Sequence, residues 1–174
     1  MPVTAATASA DWARRAVLLT AGPLIVLDQV TKAIAVARLE GASGVALLGD
    51  VLRLDLTRNS GAAFSFGAGG ATWVFTVLAV GVVAAFIWYA PALTDPRSRL
   101  GAALLVAGAS GNLIDRLFRS PGVGRGHVVD FIHIRDFPIF NCADMCITAA
   151  AFVFIVIALR PAARATGPKD ESSA

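Results

Sequence analysis

Ala71-Thr72-Trp73-Val74-Phe75-Thr76-Val77-Leu78-Ala79-Val80-Gly81-Val82-Val83-Ala84-Ala85-Phe86-Ile87-Trp88-Tyr89-Ala90 runs without a single charge. A helix that crosses the hydrocarbon layer of a bilayer needs about 20 mainly apolar residues, and this run supplies them. Trp73 stands near one end, with Trp88 and Tyr89 at the other, as aromatic side chains do at the two membrane surfaces. Pro91 then stops the run, because it has no N–H to continue a helix.

Outward from this span the chain offers three more. Ala16 to Ala37 precedes it, and Leu100 to Leu117 and Asn141 to Leu159 follow. With 56% hydrophobic and 16% charged residues and a mean hydropathy of +0.69 over 174 residues, the composition excludes an ordinary soluble domain. The expectation is an all-α integral membrane protein of four transmembrane helices in one domain, residues 1–174, with a disordered tail over 161–174. The first span opens after Arg14 and Arg15 like a secretory signal peptide, and Ala35-Val36-Ala37 mimics a cleavage site. Asp28, Gln29, Thr31 and Lys32 come before that site, so the segment is read as a retained helix with a polar outer end.

The net charge of +3 is spread in ones and twos rather than along a stripe, which argues against nucleic acid as a partner and for membrane-flanking positive charge. The basic residues divide evenly between the two sides, and their higher density in the shorter segments favours cytoplasmic termini. Cys142 and Cys146, four apart in an apolar run, read as small core residues.

Between the first two spans Leu52, Leu54 and Leu56 alternate with Arg53, Asp55 and Thr57, the period of a half-buried strand. A second extended run, His127 to Ile134, lies between the third and fourth spans. Four antiparallel helices put both segments on one side of the membrane, and the polar helix ends collect there too.

Ionisable groups within a bilayer cost roughly 2.5–3.5 kcal/mol each on insertion scales, so intramembrane carboxylates are candidates for function. Asp28, Asp115, Asp130 and Asp144 fall at or near the same ends of their spans, beside Asn59, Asn112, Arg116 and Asn141. Each has a structural alternative. Asp28 and Lys32, at i and i+4, neutralise one another on a helix face. Asn141 and Asp144 form a capping box, and Asp115 with Arg116 is a snorkelling surface pair. Asp130 resists such a reading, because it interrupts the apolar run Val128-Val129-Asp130-Phe131-Ile132.

Two carboxylates brought together in an apolar site share a proton, since both cannot ionise cheaply. The ionised one then takes a proton from water while the protonated one hydrogen-bonds a scissile carbonyl, the logic of aspartic proteolysis. His127 and His133, six apart, share one face of an ideal strand, but neither belongs to an H-E-x-x-H helix motif, and no metal or cofactor is expected.

Asp28-Gln29-Val30-Thr31-Lys32, Asn59-Ser60-Gly61-Ala62-Ala63-Phe64-Ser65, Gly111-Asn112-Leu113-Ile114-Asp115-Arg116, Val128-Val129-Asp130-Phe131 and Phe140-Asn141-Cys142-Ala143-Asp144 resemble, in order, the successive motifs of bacterial lipoprotein signal peptidases (signal peptidase II). The resemblance runs from about Asp28 to Asp144. It implies four transmembrane helices with a small extracytoplasmic β-cradle, in the bacterial cytoplasmic membrane. By this resemblance the catalytic aspartates are Asp130 and Asp144. Asn59, Gly61, Asn112, Arg116 and Asn141 support substrate and carboxylates, and Asp28, Lys32 and Asp115 are structural. The implied substrate is a prolipoprotein whose lipobox cysteine carries diacylglycerol, cut on the amino side of that cysteine by a monomer in contact with membrane lipid. Cys142, at a position expected to be aliphatic, and His133 and Asp136, extra titratable groups, depart from the pattern. A proton-coupled transporter is the alternative from another class, and it requires carboxylates spread across the membrane depth; a purely structural scaffold leaves Asp130 unexplained.

Overall fold

The computed structural model describes residues 3–61 and 71–160. Helix α1 covers Val3–Leu39, β1 Val45–Leu48, β2 Leu52–Asn59, α2 Ala71–Tyr89, α3 Pro96–Phe118, β3 Val128–Ile134 and α4 Cys142–Ala158. The expected tail and Ala62 to Ser65 of the second motif lie outside the described residues.

All four expected helices are present, with shifted limits. The first reaches well before Ala16 and runs through Pro23 without ending. The third starts at Pro96 rather than Leu100, because the Asp95 side chain accepts from the Arg97 N–H at 3.0 Å and caps the helix, with proline in its first turn. Two helical stretches, Ala10–Leu39 and Thr72–Ala92, are long and apolar enough to cross a membrane, while Cys142–Ala158 is a shorter apolar helix. Their outward side chains are large and apolar, with Leu19, Leu78, Trp88, Phe152 and Leu159 all exposed, an apolar surface suited to lipid rather than water.

Helix α3 is central and touches the other three. It can do so because its buried face is built from small residues, Gly101, Ala102, Ala103, Ala107, Gly108 and Gly111, which let helix backbones approach closely. At Gly111 a β-carbon would lie 2.6 Å from Asp28 Oδ2 and 3.0 Å from the Ala143 β-carbon, so three helices meet at a point with room for hydrogen only. Val17 and Ala21 of α1, Ala90, and Ala102, Ala103, Val106 and Ala107 of α3 form the helical core, against which Cys146 packs.

The strands form one antiparallel sheet in the order β1-β2-β3. It sits where α1 ends, α2 begins, α3 ends and α4 begins, which is the grouping expected of both extended segments. Ala35 and Leu39 of α1 pack with Val129 and Phe131 of β3, and Leu54 and Leu56 of β2 complete that contact. The register sets Thr57 opposite Asp130 and Asn59 opposite Val128. Val128 to Phe131 are buried on both faces rather than alternately, since one face meets α1 and the other turns towards the ends of α3 and α4.

Candidate active site

Asn141 ends the loop after β3 with extended backbone and starts α4. Its side-chain oxygen accepts from the Asp144 N–H at 3.0 Å, and Asp144 Oδ2 accepts from the Asn141 N–H at 3.1 Å. This is the capping box read from the sequence. It also aims both residues: the Asn141 NH2 group, turned away from the cap, donates to Asp130 Oδ1 at 2.6 Å. Strand and helix thus present their carboxyls to each other through a single asparagine.

Asn59, at the end of β2, donates to Asp130 Oδ2 at 3.0 Å. Its own oxygen accepts from the Gly61 N–H at 2.8 Å, in a tight turn where Gly61 has φ +81°, a conformation that favours glycine. Asn112 of α3 donates to Asp144 Oδ1 at 2.8 Å. The Asn112 oxygen receives both the second Asn141 N–H, at 3.2 Å, and the Lys32 ammonium, at 3.0 Å.

Lys32 is completely buried, and its three N–H groups meet three acceptors: Asn112 Oδ1, Asp28 Oδ2 at 2.9 Å and Asp115 Oδ2 at 2.9 Å. A buried ammonium is tolerable only with such complete pairing. Asp28 Oδ1 accepts from the Ala143 N–H at 2.8 Å, which ties α1 to the first turn of α4. Asp115 accepts from Arg119 Nε at 2.6 Å and from the Val129 N–H at 3.0 Å, which ties α3 to β3. The isolated Asp28–Lys32 pair expected from spacing is therefore one part of a larger cluster.

One structural alternative from the sequence is corrected. Asp115 is not half of a surface pair with Arg116, because it is fully buried and pairs with Lys32 and Arg119. Arg116 instead turns the other way, donating to the Asn112 carbonyl at 3.2 Å and lying 5.7 Å from the centre of the Phe75 ring. It stands in the electrostatic field of Asp144, Asp115 and Asp130. Arg119 escaped the sequence reading, although its position four residues after Asp115 on one helix was the available signal. Gln29, which the sequence placed in the polar end of the first span and in the first motif without a role, donates to Asp28 and to the Gly111 carbonyl.

Burial pushes the Asp130 carboxyl up from 3.8 to about 6, the Asp144 charge adds to the rise, and the Asn59 and Asn141 hydrogen bonds oppose it. His133 lies further along β3 and contacts Asp55 at 2.8 Å, where that bond and Arg53 hold the Asp55 carboxyl below its ordinary value. His127 lies before the strand and donates its N–H to the Ser120 carbonyl. All four candidate carboxylates lie in one network at one end of the helices, not spread along them as a proton-coupled transporter requires. A largely apolar cavity of about 740 Å³ opens beside Asp144, lined by Phe137, Phe140, Met145 and Phe152 among others.

Residues 20–160 match the family Peptidase_A8, described as Signal peptidase (SPase) II. A lipoprotein signal peptidase of Mycolicibacterium smegmatis is 46% identical over 145 residues, which cover 83% of this chain and 61% of that protein. One of Rhodococcus jostii is 44% identical over 146 residues, covering 84% of this chain and 73% of the relative. The chain thus spans rather less than two thirds of the length of the first of these. A solved structure described as a bacterial membrane enzyme, determined by the in meso method at 1.9 Å resolution, shares the fold with a TM-score of 0.74 at 29% identity, covering 84% of this chain and 94% of that one. A second, at 2.3 Å, gives 0.69 at 29% identity, over 91% and 93%. Sequence over most of the chain and fold over nearly all of a solved relative agree, and the chain belongs to the signal peptidase II family.

Proposed function

We propose that this protein is an aspartic endopeptidase of the bacterial cytoplasmic membrane that removes the signal peptide from diacylglyceryl-modified prolipoproteins, cutting on the amino side of the lipobox cysteine. The observation that carries this reading is the link between Asp130 and Asp144, whose carboxyls are held by the two ends of one residue, Asn141. The relatives named above are lipoprotein signal peptidases, which supports the substrate class.

In the reaction one carboxylate of the pair takes a proton from water, and the water oxygen attacks the scissile carbonyl carbon. The other carboxyl, protonated, donates to the carbonyl oxygen as negative charge grows there. When the tetrahedral species collapses, the C–N bond breaks. The leaving nitrogen receives the proton first taken from water, so one water is consumed and both carboxyls are ready to re-form the shared-proton state. Asn59, Asn112 and Asn141 hold the two carboxyls. Arg116, Gly61 and the apolar cavity beside Asp144 face the substrate. The network lies at the extracytoplasmic face, with four helices spanning the bilayer, so that an acylated peptide enters sideways from the lipid.

Purified full-length protein in detergent, given a diacylglyceryl-modified prolipoprotein, should release the signal peptide and leave the modified cysteine as the new amino terminus, read by mass spectrometry. The unmodified precursor should be cut at least about tenfold more slowly, the discrimination expected from losing a large buried contact. No cleavage by well-folded protein would contradict the peptidase reading, and substrate-free proton uptake by vesicles would favour a transporter in its place.

A further inference from the structure

At the end of the helices away from the carboxyl network, the start of α1 and the start of α3 leave an open cavity of about 270 Å³ between them, lined by Trp12, Ala16, Thr20, Pro96, Arg99 and Leu100. At about 1.5 Å of rise per residue, Trp12 lies about 30 Å along α1 from Lys32, and Arg99 about 24 Å along α3 from Asp115. That separation matches the hydrocarbon thickness of a bilayer, about 30 Å. The exposed Trp88 and Tyr89 precede Ala90, which packs with Val17 and Ala102 at this same end, so aromatic side chains ring it as they do a membrane surface.

Arg99 is the anomaly here. Its guanidinium lies 4.7 Å from the centre of the Trp12 ring, a cation–π contact, and it gives one hydrogen bond, to the Thr94 carbonyl at 3.0 Å. Its Nε–H is buried and meets no acceptor among the described residues. The acids nearby are engaged elsewhere: Asp11 stands 3.9 Å from Arg14, and Asp95 caps α3 through the Arg97 N–H. A guanidinium carries five donors, and a buried donor without a partner is costly, the more so where lipid replaces water. Thr20, the other polar side chain of the lining, gives its O–H to the Ala16 carbonyl at 2.9 Å. Arg99 is therefore the charged donor that a ligand would meet.

The surroundings narrow the ligand. Arg14, Arg15, Arg97 and Arg160 share this end with only Asp11 and Asp95 among the described residues, an excess of positive charge. The rest of the lining is apolar, and its Trp12 and Leu100 are exposed. An anion that carries its own hydrocarbon suits such a cavity, and basic pockets between helices at a membrane surface take anionic head groups. We propose that the cavity binds an anionic phospholipid, its phosphate hydrogen-bonded to the Arg99 guanidinium and an acyl chain lying against Ala16 and Leu100. On the orientation given above the lipid belongs to the cytoplasmic leaflet, while the binding itself stands apart from the peptidase reading.

The test titrates the full-length protein, in neutral detergent at physiological salt, with phosphatidylglycerol or phosphatidylcholine of the same acyl chains, and counts bound lipid by native mass spectrometry. The wild type should bind one phosphatidylglycerol at least about tenfold more tightly than phosphatidylcholine, because the positive end favours a net negative lipid. Arg99→Gln should weaken phosphatidylglycerol at least about tenfold, the loss of a charge-assisted hydrogen bond. Arg97→Gln removes the same charge from the same helix but outside the lining, and should weaken it less than about threefold, since exposed charge is screened. Ala16→Phe fills the cavity and keeps every charge; it should lose binding as Arg99→Gln does, and it decides the matter if Arg99→Gln does not fold. Millimolar inorganic phosphate should displace nothing. Equal losses in Arg99→Gln and Arg97→Gln would mean diffuse charge attraction, and displacement by inorganic phosphate would mean a site for the free ion. Either result, equal affinity for the two lipids, or unchanged binding by Ala16→Phe would overturn the assignment.

Discussion

Burial on β3, with the Asp144 charge nearby, raises the Asp130 carboxyl to about 6. Between 3.8 and that value the folded protein holds a proton the unfolded chain has lost, so stability falls as pH rises through the window. The loss amounts to at most about 3 kcal/mol, and Asp130→Asn should flatten it in urea titrations at several pH values. Activity has the same sign. On the proposed mechanism the proton held by Asp130 is needed, so kcat/KM for the free enzyme should decline above about 6 in a pH–rate profile. Most of these residues were legible in the sequence, because charged and amide side chains in apolar runs are anomalous one by one. Their partners were less so: Asp115 pairs not with its neighbour Arg116 but with Arg119, a turn further on at a spacing that could have been read, and with Lys32 from another helix. Adjacent positions on a helix do not face one another, and contacts between helices leave no spacing to read.

At the level of elements, the start of α4 carries two tasks at once. Asn141→Ala removes the N-cap, worth about 1 kcal/mol, and also the donor that links Asp130 to Asn112. It should therefore lower the melting temperature by a few degrees while reducing kcat far more than that loss of folded protein accounts for. Gly111→Ala should be worse for stability, since its β-carbon has no room between Asp28 and Ala143; overpacking of this kind costs about 1–3 kcal/mol, and a thermal shift in detergent would measure it. β2 and β3 were readable from alternation and from a bounded apolar run. β1, four exposed residues between glycines, had neither. The early start of α3 was signalled by Asp95-Pro96, a cap followed by the one residue favoured in a first turn, whereas nothing in the composition marks where α1 begins.

For the molecule as a whole, the central position of α3 explains why its polar end, and not an apolar one, gathers the site: Asn112, Asp115 and Arg116 lie on the helix that α1, α2, α4 and β3 all touch. Reporter fusions at the amino and carboxyl ends should both report the cytoplasm if four helices span the bilayer, while one inserted between β1 and β2 should report the opposite side. The most direct test of the account is cleavage of a diacylglyceryl-modified prolipoprotein by wild type, Asp130→Asn and Asp144→Asn, each purified in detergent and verified as folded. Signal peptide release by the wild type, reduced at least about 10³-fold in both variants, is the predicted result. Near-wild-type release by either variant would contradict the shared-proton carboxyl pair on which the account rests.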